Sequence, residues 1–328
     1  MSRTDAARKD EAAVMASGIS HDPRIAGLRG ELRLDEPMAG HVTWRAGGAA
    51  ARAFFPADLD DLILFLRHLR SDEPLLFVGL GSNLLVRDGG FDGTVVFTHG
   101  ALKALRLETE PSPPGPDAPL IYAEAGVACP KVARFAANNG LAGAEFLAGI
   151  PGTVGGAMTM NAGCYGGETW NAVAEAVTVD RRGELRHRLR DDFEVGYRRV
   201  GLRAATDEWF VAARLAFAPG DGELARRRIK ELLEKRIASQ PLQLPNAGSV
   251  FRNPEGDHAA RLIEASGLKG LSVGGARVSE KHANFIVNPG GVGCAADIES
   301  LIEQVHATVL EKQGVDLVRE VRIVGEKP

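Results

Sequence analysis

The residues with the most chemical promise lie in one stretch: Gly149-Ile150-Pro151-Gly152-Thr153-Val154-Gly155-Gly156-Ala157, running on through Asn161-Ala162-Gly163 to Cys164-Tyr165-Gly166-Gly167-Glu168. Seven of its twenty residues are glycine, and no charge appears before Glu168. Glycine permits positive φ and close approach of backbone to ligand. Successive free N–H groups in such a loop form an anion-binding nest. The stretch reads as a cradle for a phosphate or pyrophosphate, or as a Gly/Ala-rich packing turn. A second segment, Gly79-Leu80-Gly81-Ser82-Asn83-Leu84, follows the apolar run Leu75–Val78, which has the pattern of a buried strand. Two such loops could hold one elongated dinucleotide from two sides.

The cradle departs from the common nucleotide motifs. No Lys follows it as in a P-loop, and no strand–Gly-x-Gly-x-x-Gly–helix unit stands near the N-terminus. His-x-x-x-His and Cys-x-x-Cys pairs are lacking, which leaves a metal site without support. No Gly-x-Ser-x-Gly elbow occurs. Without a metal or an obvious nucleophile, difficult chemistry must come from an organic cofactor. A net charge of −4 gives no footprint for nucleic acid. The three cysteines, Cys129, Cys164 and Cys294, lack metal spacing and fit a reducing compartment. The most apolar span, Phe146–Met160, is broken by glycine and proline and makes a poor membrane helix. A cytoplasmic enzyme is the expectation.

Three charged or polar clusters add candidate site groups: Gly196-Tyr197-Arg198-Arg199, Asn246-Ala247-Gly248-Ser249-Val250-Phe251-Arg252-Asn253-Pro254, and Arg319-Glu320-Val321-Arg322. Each alone is more often structural, since ion pairs and turn residues are common. Strand alternation through Leu317–Val324 puts Glu320 on the face of Val318 and Arg322, opposite Leu317, Val321 and Ile323.

The elements that must position these groups are a mixture of strands, hairpins and helices, an α+β pattern without regular βαβ alternation. Residues 1–36 read as a loosely docked extension. Asp58 opens a helix whose apolar face is Leu59, Leu62, Ile63, Leu66 and Leu69. Strands are expected over 75–78, 93–97, 103–110, 120–127 and 208–217, a surface loop over 111–119, and a hairpin over 172–189. Pro130 starts a helix that Gly140 stops. A charged helix over 223–238 should turn Leu224, Ile229, Leu232, Leu233 and Ile237 inward, and a domain boundary falls near residue 219. Helices over 257–266 and 295–313 and strands over 282–288 and 316–324 complete the chain.

Taken in order, Thr43-Trp44-Arg45-Ala46-Gly47-Gly48, the two glycine segments, Asn161-Ala162-Gly163, Tyr197-Arg198, the Asn246–Pro254 loop and Glu320 resemble the UDP-N-acetylenolpyruvoylglucosamine reductases over roughly residues 40 to 326. The resemblance implies an FAD-binding fold of the vanillyl-alcohol-oxidase type in two α+β subdomains, 37–99 and 100–218. A substrate-binding domain over 219–315 and a terminal strand over 316–328 that returns to the flavin would follow. It implies FAD held non-covalently by Thr43, Gly79, Leu80, Gly81, Ser82, Asn83 and Leu84 from the first segment. From the second it implies Gly149, Ile150, Pro151, Gly152, Thr153, Gly155, Gly156, Ala157, Asn161, Ala162 and Gly163. NADPH would reduce the flavin and leave. The enolpyruvyl sugar nucleotide would then take hydride from flavin N5 at C3 and a proton from Ser249 at C2, with Arg198 and Glu320 at the developing enolate. Tyr197, Arg236, Gln240, Asn253 and His282 are candidates for the rest of the substrate. Among the tyrosines, only Tyr122, Tyr165 and Tyr197 are present, which places the chain in the branch that lacks an inserted Tyr-bearing loop. Two other readings stand beside this one: an FAD-dependent alcohol oxidase or dehydrogenase of the same fold, and a non-catalytic nucleotide-sugar-binding module, which would be colourless.

Overall fold

The computed structural model describes residues 26–108, 119–204 and 207–328. The first sheet has the order Glu31–Pro37, Ala49–Phe55, Phe91–Phe97, Leu75–Val78; its first pair is antiparallel and the other two are parallel. Both of its faces are covered. Along Phe91–Phe97, Val96 points into one core while Val95 and Phe97 point into another, the alternation that a strand imposes. Helix α1, Leu59–His68, lies on this sheet with Leu62, Phe65 and Leu66 buried. The Asp58 carboxylate caps it by accepting the Asp61 N–H at 3.0 Å. Leu69 lies just past its end.

The expectation of a loose extension to residue 36 is corrected for Glu31–Pro37, which is the edge strand of this sheet. Its entry is pinned by the buried Asp61 carboxylate, which accepts the N–H groups of Arg29, Gly30 and Ala57 at 2.7, 2.8 and 2.9 Å. Residues 1–25, and nearly all of the proline-rich loop over 111–119, lie outside the described residues.

The second sheet is antiparallel, in the order Leu185–Arg188, Val173–Asp180, Glu208–Ala216, Leu120–Glu124, Leu105–Glu108. Val177, Val179, Val211 and Ala212 pack from one face against the α1 side of the first sheet. The other face packs against α2, Cys129–Asn138, and α3, Val154–Met160. Helix α4, Gly222–Ser239, inserts Ala225 and Ile229 into that same core. This corrects the expected stripe: Leu224 and Ile237 are exposed. The buried positions step by four along a narrow seam, and α4 packs with the core of the second sheet.

The third layer combines α5, Ala259–Ala265, with α6, Ala295–Gln313, and three short strands, Ser272–Val273, Ala276–Val278 and Ile286–Val287. Ile298, Leu301, Ile302, Val305 and Val309 of α6 are buried, and Gly314 ends the helix at φ +69°. The strand expected over 282–288 shrinks to two residues. Here Asn284 uses its side chain instead, accepting the Phe251 N–H at 3.0 Å and donating to the Phe251 carbonyl at 2.8 Å. Trp44 and Leu85 reach into this core, and Trp44 Nε1 donates to the Ile286 carbonyl at 2.8 Å.

The strand expected over 316–324 is shorter in the structure. Only Arg322–Val324 is regular, pairing in parallel with Leu84–Val86 beside the first glycine loop. The expected split of side chains around Glu320 persists without a regular strand: Leu317 and Val321 are buried and Ile323 packs against the same core. Val318 is exposed, Arg319 bridges to Phe251, and the Glu320 N–H donates to the Val250 carbonyl at 2.8 Å.

Candidate active site

The two glycine loops meet. A Cβ on Gly79 would stand 2.3 Å from Thr153 Oγ1, so the contact tolerates only glycine. Gly81 adopts φ +60° against the His41 carbonyl, and the Thr43 N–H holds the Gly81 carbonyl at 3.2 Å. The loops form one wall of a cavity of about 520 Å³. Its lining includes Gly79–Leu84, Gly149–Thr153, Gly155, Gly156, Ala157, Ala162 and Gly163, together with Arg198, Arg236, Gln240, Ser249 and Glu320. Five expected site residues are not in the lining: Thr43, Asn161, Tyr197, Asn253 and His282. Thr43 instead supports the first loop. Asn253 accepts the Ala259 N–H at 3.1 Å at the start of α5. His282 packs edge-on against Phe285, which does line the cavity.

The wall is built of donors. Among the described residues, the N–H groups of Leu80, Gly81, Ser82, Asn83, Gly152, Thr153 and Gly156 donate to no protein acceptor. Thr153 Oγ1 is buried without a partner. A Cβ on Gly156 would meet only Thr153 Oγ1, at 3.8 Å, and would otherwise project into open space. Unpaired buried polar groups are costly and rare, and backbone nests of this kind bind phosphates. The residues present therefore fit a pyrophosphate-bearing cofactor such as FAD.

Arg198 and Glu320 meet on another part of the cavity wall. Arg198 sits second in the two-residue turn between strands Phe193–Gly196 and Arg199–Leu202, at φ +53°. For a non-glycine residue that conformation needs support from its surroundings. Arg198 Nε donates to Glu320 Oε1 at 2.9 Å, Nη2 to the Gly163 carbonyl at 3.0 Å and Nη1 to the Asn161 carbonyl at 3.3 Å. The Tyr197 ring lies 4.9 Å from the guanidinium carbon, a cation–π distance. Burial raises the Glu320 carboxyl pKa above its ordinary value, against the opposing pull of Arg198. Asn83 Nδ2 donates to the Glu320 carbonyl at 3.2 Å and ties the first glycine loop to this carboxylate's backbone.

A second cation, Arg236, projects from the last turn of α4. Its Nε donates to Gln240 Oε1 at 2.7 Å, and no carboxylate among the described residues pairs with it. Burial pushes its pKa down. A half-buried guanidinium without a counter-ion is suited to an incoming anion. Several lining residues escaped the sequence reading. Arg322, named above only within its charged cluster, lines the cavity beside Glu320. Phe77 and Trp209, which stack with centroids 4.9 Å apart, resemble ordinary strand core residues and carried no signal. Among the described residues no helix is long and apolar enough to cross a membrane, and no group of three or more His, Cys, Asp or Glu residues is placed to hold a metal.

Comparison with known proteins agrees with this geometry. Residues 50–188 match the family described as FAD binding domain, and residues 240–324 match UDP-N-acetylenolpyruvoylglucosamine reductase, C-terminal domain. The UDP-N-acetylenolpyruvoylglucosamine reductase of Thiobacillus denitrificans is 56% identical over 92% of this chain and 94% of its own length. That of Alkalilimnicola ehrlichii is 58% identical over 90% of this chain and 96% of its own. The crystal structure of the Thermus caldophilus UDP-N-acetylenolpyruvylglucosamine reductase superposes with a TM-score of 0.72 at 30% identity, covering 92% of this chain and 99% of that one. The chain that folds two glycine loops and Arg198, Ser249 and Glu320 around one cavity thus belongs to the UDP-N-acetylenolpyruvoylglucosamine reductase family.

Proposed function

We propose that this protein reduces UDP-N-acetylenolpyruvoylglucosamine to UDP-N-acetylmuramate in peptidoglycan precursor synthesis, using non-covalent FAD and NADPH as the source of electrons. One observation carries the reading. Arg198, Ser249 and Glu320, from three separate segments, line the same cavity as both glycine loops. The residues that would hold FAD are those of Gly79–Leu84 and Gly149–Gly163 that line it. Bound there, FAD supplies the hydride chemistry that no side chain of this protein can perform.

The protein's own groups act on the substrate. Arg198 binds its carboxylate and stabilises negative charge as it develops on the enolpyruvyl group; a preorganised donor in such a place is worth about 3–4 kcal/mol. Ser249 holds the proton destined for C2; positioned proton transfer contributes roughly 10²–10⁴-fold. Glu320 orients the Arg198 fork through its 2.9 Å contact with Nε. Arg236 and Gln240 face the same cavity and are suited to the diphosphate.

The packing of α4 with the second sheet, and a family match that begins at residue 240, favour placing the substrate-domain boundary near 240. Cys129, Cys164 and Cys294 are free thiols, in keeping with a cytoplasmic setting. The test is anaerobic. NADPH should bleach the yellow protein, and the enolpyruvyl UDP-sugar should restore its colour. A reduced protein that the sugar nucleotide leaves bleached would refute the proposal.

A further inference from the structure

We infer that Asn161 is a positioning residue for Arg198, and that its side chain serves the substrate half of the reaction and not the retention of FAD. The inference rests on the functional reading above and assigns a task within that site. Asn161 is 2% exposed and does not line the cavity, so it has no surface to offer a cofactor. It ends α3 in the left-handed conformation, φ +41°, and every polar atom of its side chain is used within the protein. Oδ1 accepts the Trp170 N–H at 3.1 Å; Nδ2 donates to Glu168 Oε2 at 3.0 Å and to the Gly196 carbonyl at 3.1 Å.

The last of these bonds matters most. The ribbon Phe193–Gly196/Arg199–Leu202 is a two-stranded sheet that pairs with no other described strand. Its tip, Tyr197-Arg198, is held by no ladder beyond its own. The Asn161 amide grips Gly196 at the base of that tip, and the Asn161 carbonyl accepts Arg198 Nη1 at 3.3 Å. One residue thus fixes both the backbone that carries the arginine and the arginine's head. The carbonyl belongs to the C-terminal end of α3, where the helix dipole favours a cation. With Nε on Glu320 and one N–H of each Nη on a carbonyl, one N–H on each terminal nitrogen remains for a ligand.

Asn161→Gly tests this directly, because glycine keeps the left-handed backbone and removes only the side chain. In the FAD-loaded variant, flavin affinity measured by fluorescence and the rate of bleaching by NADPH should stay within about threefold of wild type. Reoxidation of the reduced protein by saturating enolpyruvyl UDP-sugar should slow by about 10- to 100-fold, as small displacements of reacting groups do. Glu168→Ala, which deletes one acceptor of the amide, should slow the same step in the same direction and carries the test if Asn161→Gly does not fold. Reoxidation at the wild-type rate in the folded variant overturns the inference, as does a loss confined to FAD affinity. A wild type that the sugar nucleotide fails to reoxidise in the same run overturns the functional reading as well.

Discussion

Arg198 Nε meets Glu320 Oε1 at 2.9 Å across 122 residues of chain. The pair joins the separate two-stranded hairpin Phe193–Gly196/Arg199–Leu202 to the returning C-terminal segment. Both side chains are largely buried, 16% and 17% exposed. Burying two charges is repaid only by good geometry and further hydrogen bonds, and Arg198 has both, with two backbone carbonyls completing its set. Asn83 then fastens the Glu320 backbone to the first glycine loop. Cradle, hairpin and chain end are therefore tied to one another, as a site needs when charge must be met at a defined place.

Arg198→Lys should show how much depends on the fork. A lysine keeps the charge but cannot reach Glu320 and two carbonyls from one planar head. We expect reoxidation by the enolpyruvyl UDP-sugar to fall by about 10²–10³-fold, with flavin content unchanged. Stopped-flow absorbance of the reduced enzyme measures it. A rate within threefold of wild type would mean that charge alone suffices.

Gly156→Ala separates folding from cofactor binding. Nothing in the protein blocks a Cβ there except Thr153 Oγ1 at 3.8 Å, and alanine in a helix is favoured over glycine by about 0.5–1 kcal/mol. The apoprotein should melt at the wild-type temperature or slightly higher. FAD binding should weaken by about tenfold or more, equivalent to about 1.4 kcal/mol, because the added methyl enters the space the ligand occupies. Calorimetry of the apoprotein and flavin titration give the two numbers. Unchanged FAD affinity would remove Gly156 from the cradle.

What the sequence made legible was local. Pro130 and Gly140 bracket α2, Asp58 caps α1, and Gly314 stops α6, because caps and stops are short-range chemistry. The two glycine segments were legible for the same reason. Long-range partners were not. Glu31–Pro37 is charge-rich, with only Leu32 and Leu34 to signal a strand; its place follows from Asp61, thirty residues on, gripping its entry. Asn161 resembles a cradle residue in sequence, and its amide bond to the Gly196 carbonyl was not legible there, since that partner lies on a hairpin that comes later in the chain. Helix α4 shows many apolar side chains, and only its packing partner reveals which of them are inside.

Asp88 should contribute to stability from outside the helix it serves. Its carboxylate accepts the Ala295 and Ala296 N–H groups at 3.0 and 2.8 Å at the start of α6. Next to it, Arg87 pairs with the buried Glu299 of the same helix at 2.9 Å. Asp88→Ala removes a capping acceptor, a loss of about 1 kcal/mol. Urea denaturation should show a lower midpoint with an unchanged slope. An unaltered midpoint would mean that water or Asp297 caps α6 equally well.

His282 makes the last prediction, one of pH. Its Nδ1 is buried without a partner, and burial lowers its pKa below the ordinary 6.5. The charges that act on the ring are Lys269, which lowers the pKa further, and Glu264, which raises it. In the unfolded chain the imidazole takes up a proton near pH 6.5, while in the folded chain it resists until lower pH. Between those points the unfolded state binds more protons, so stability falls as pH falls. His282 thus favours folding fully above pH 6.5 and loses that contribution on acidification through the window below it. Urea midpoints at pH 7.5 and 5.5 should differ more in wild type than in His282→Gln, which cannot titrate. Equal differences in the two proteins would show that the ring is free to protonate in the folded state.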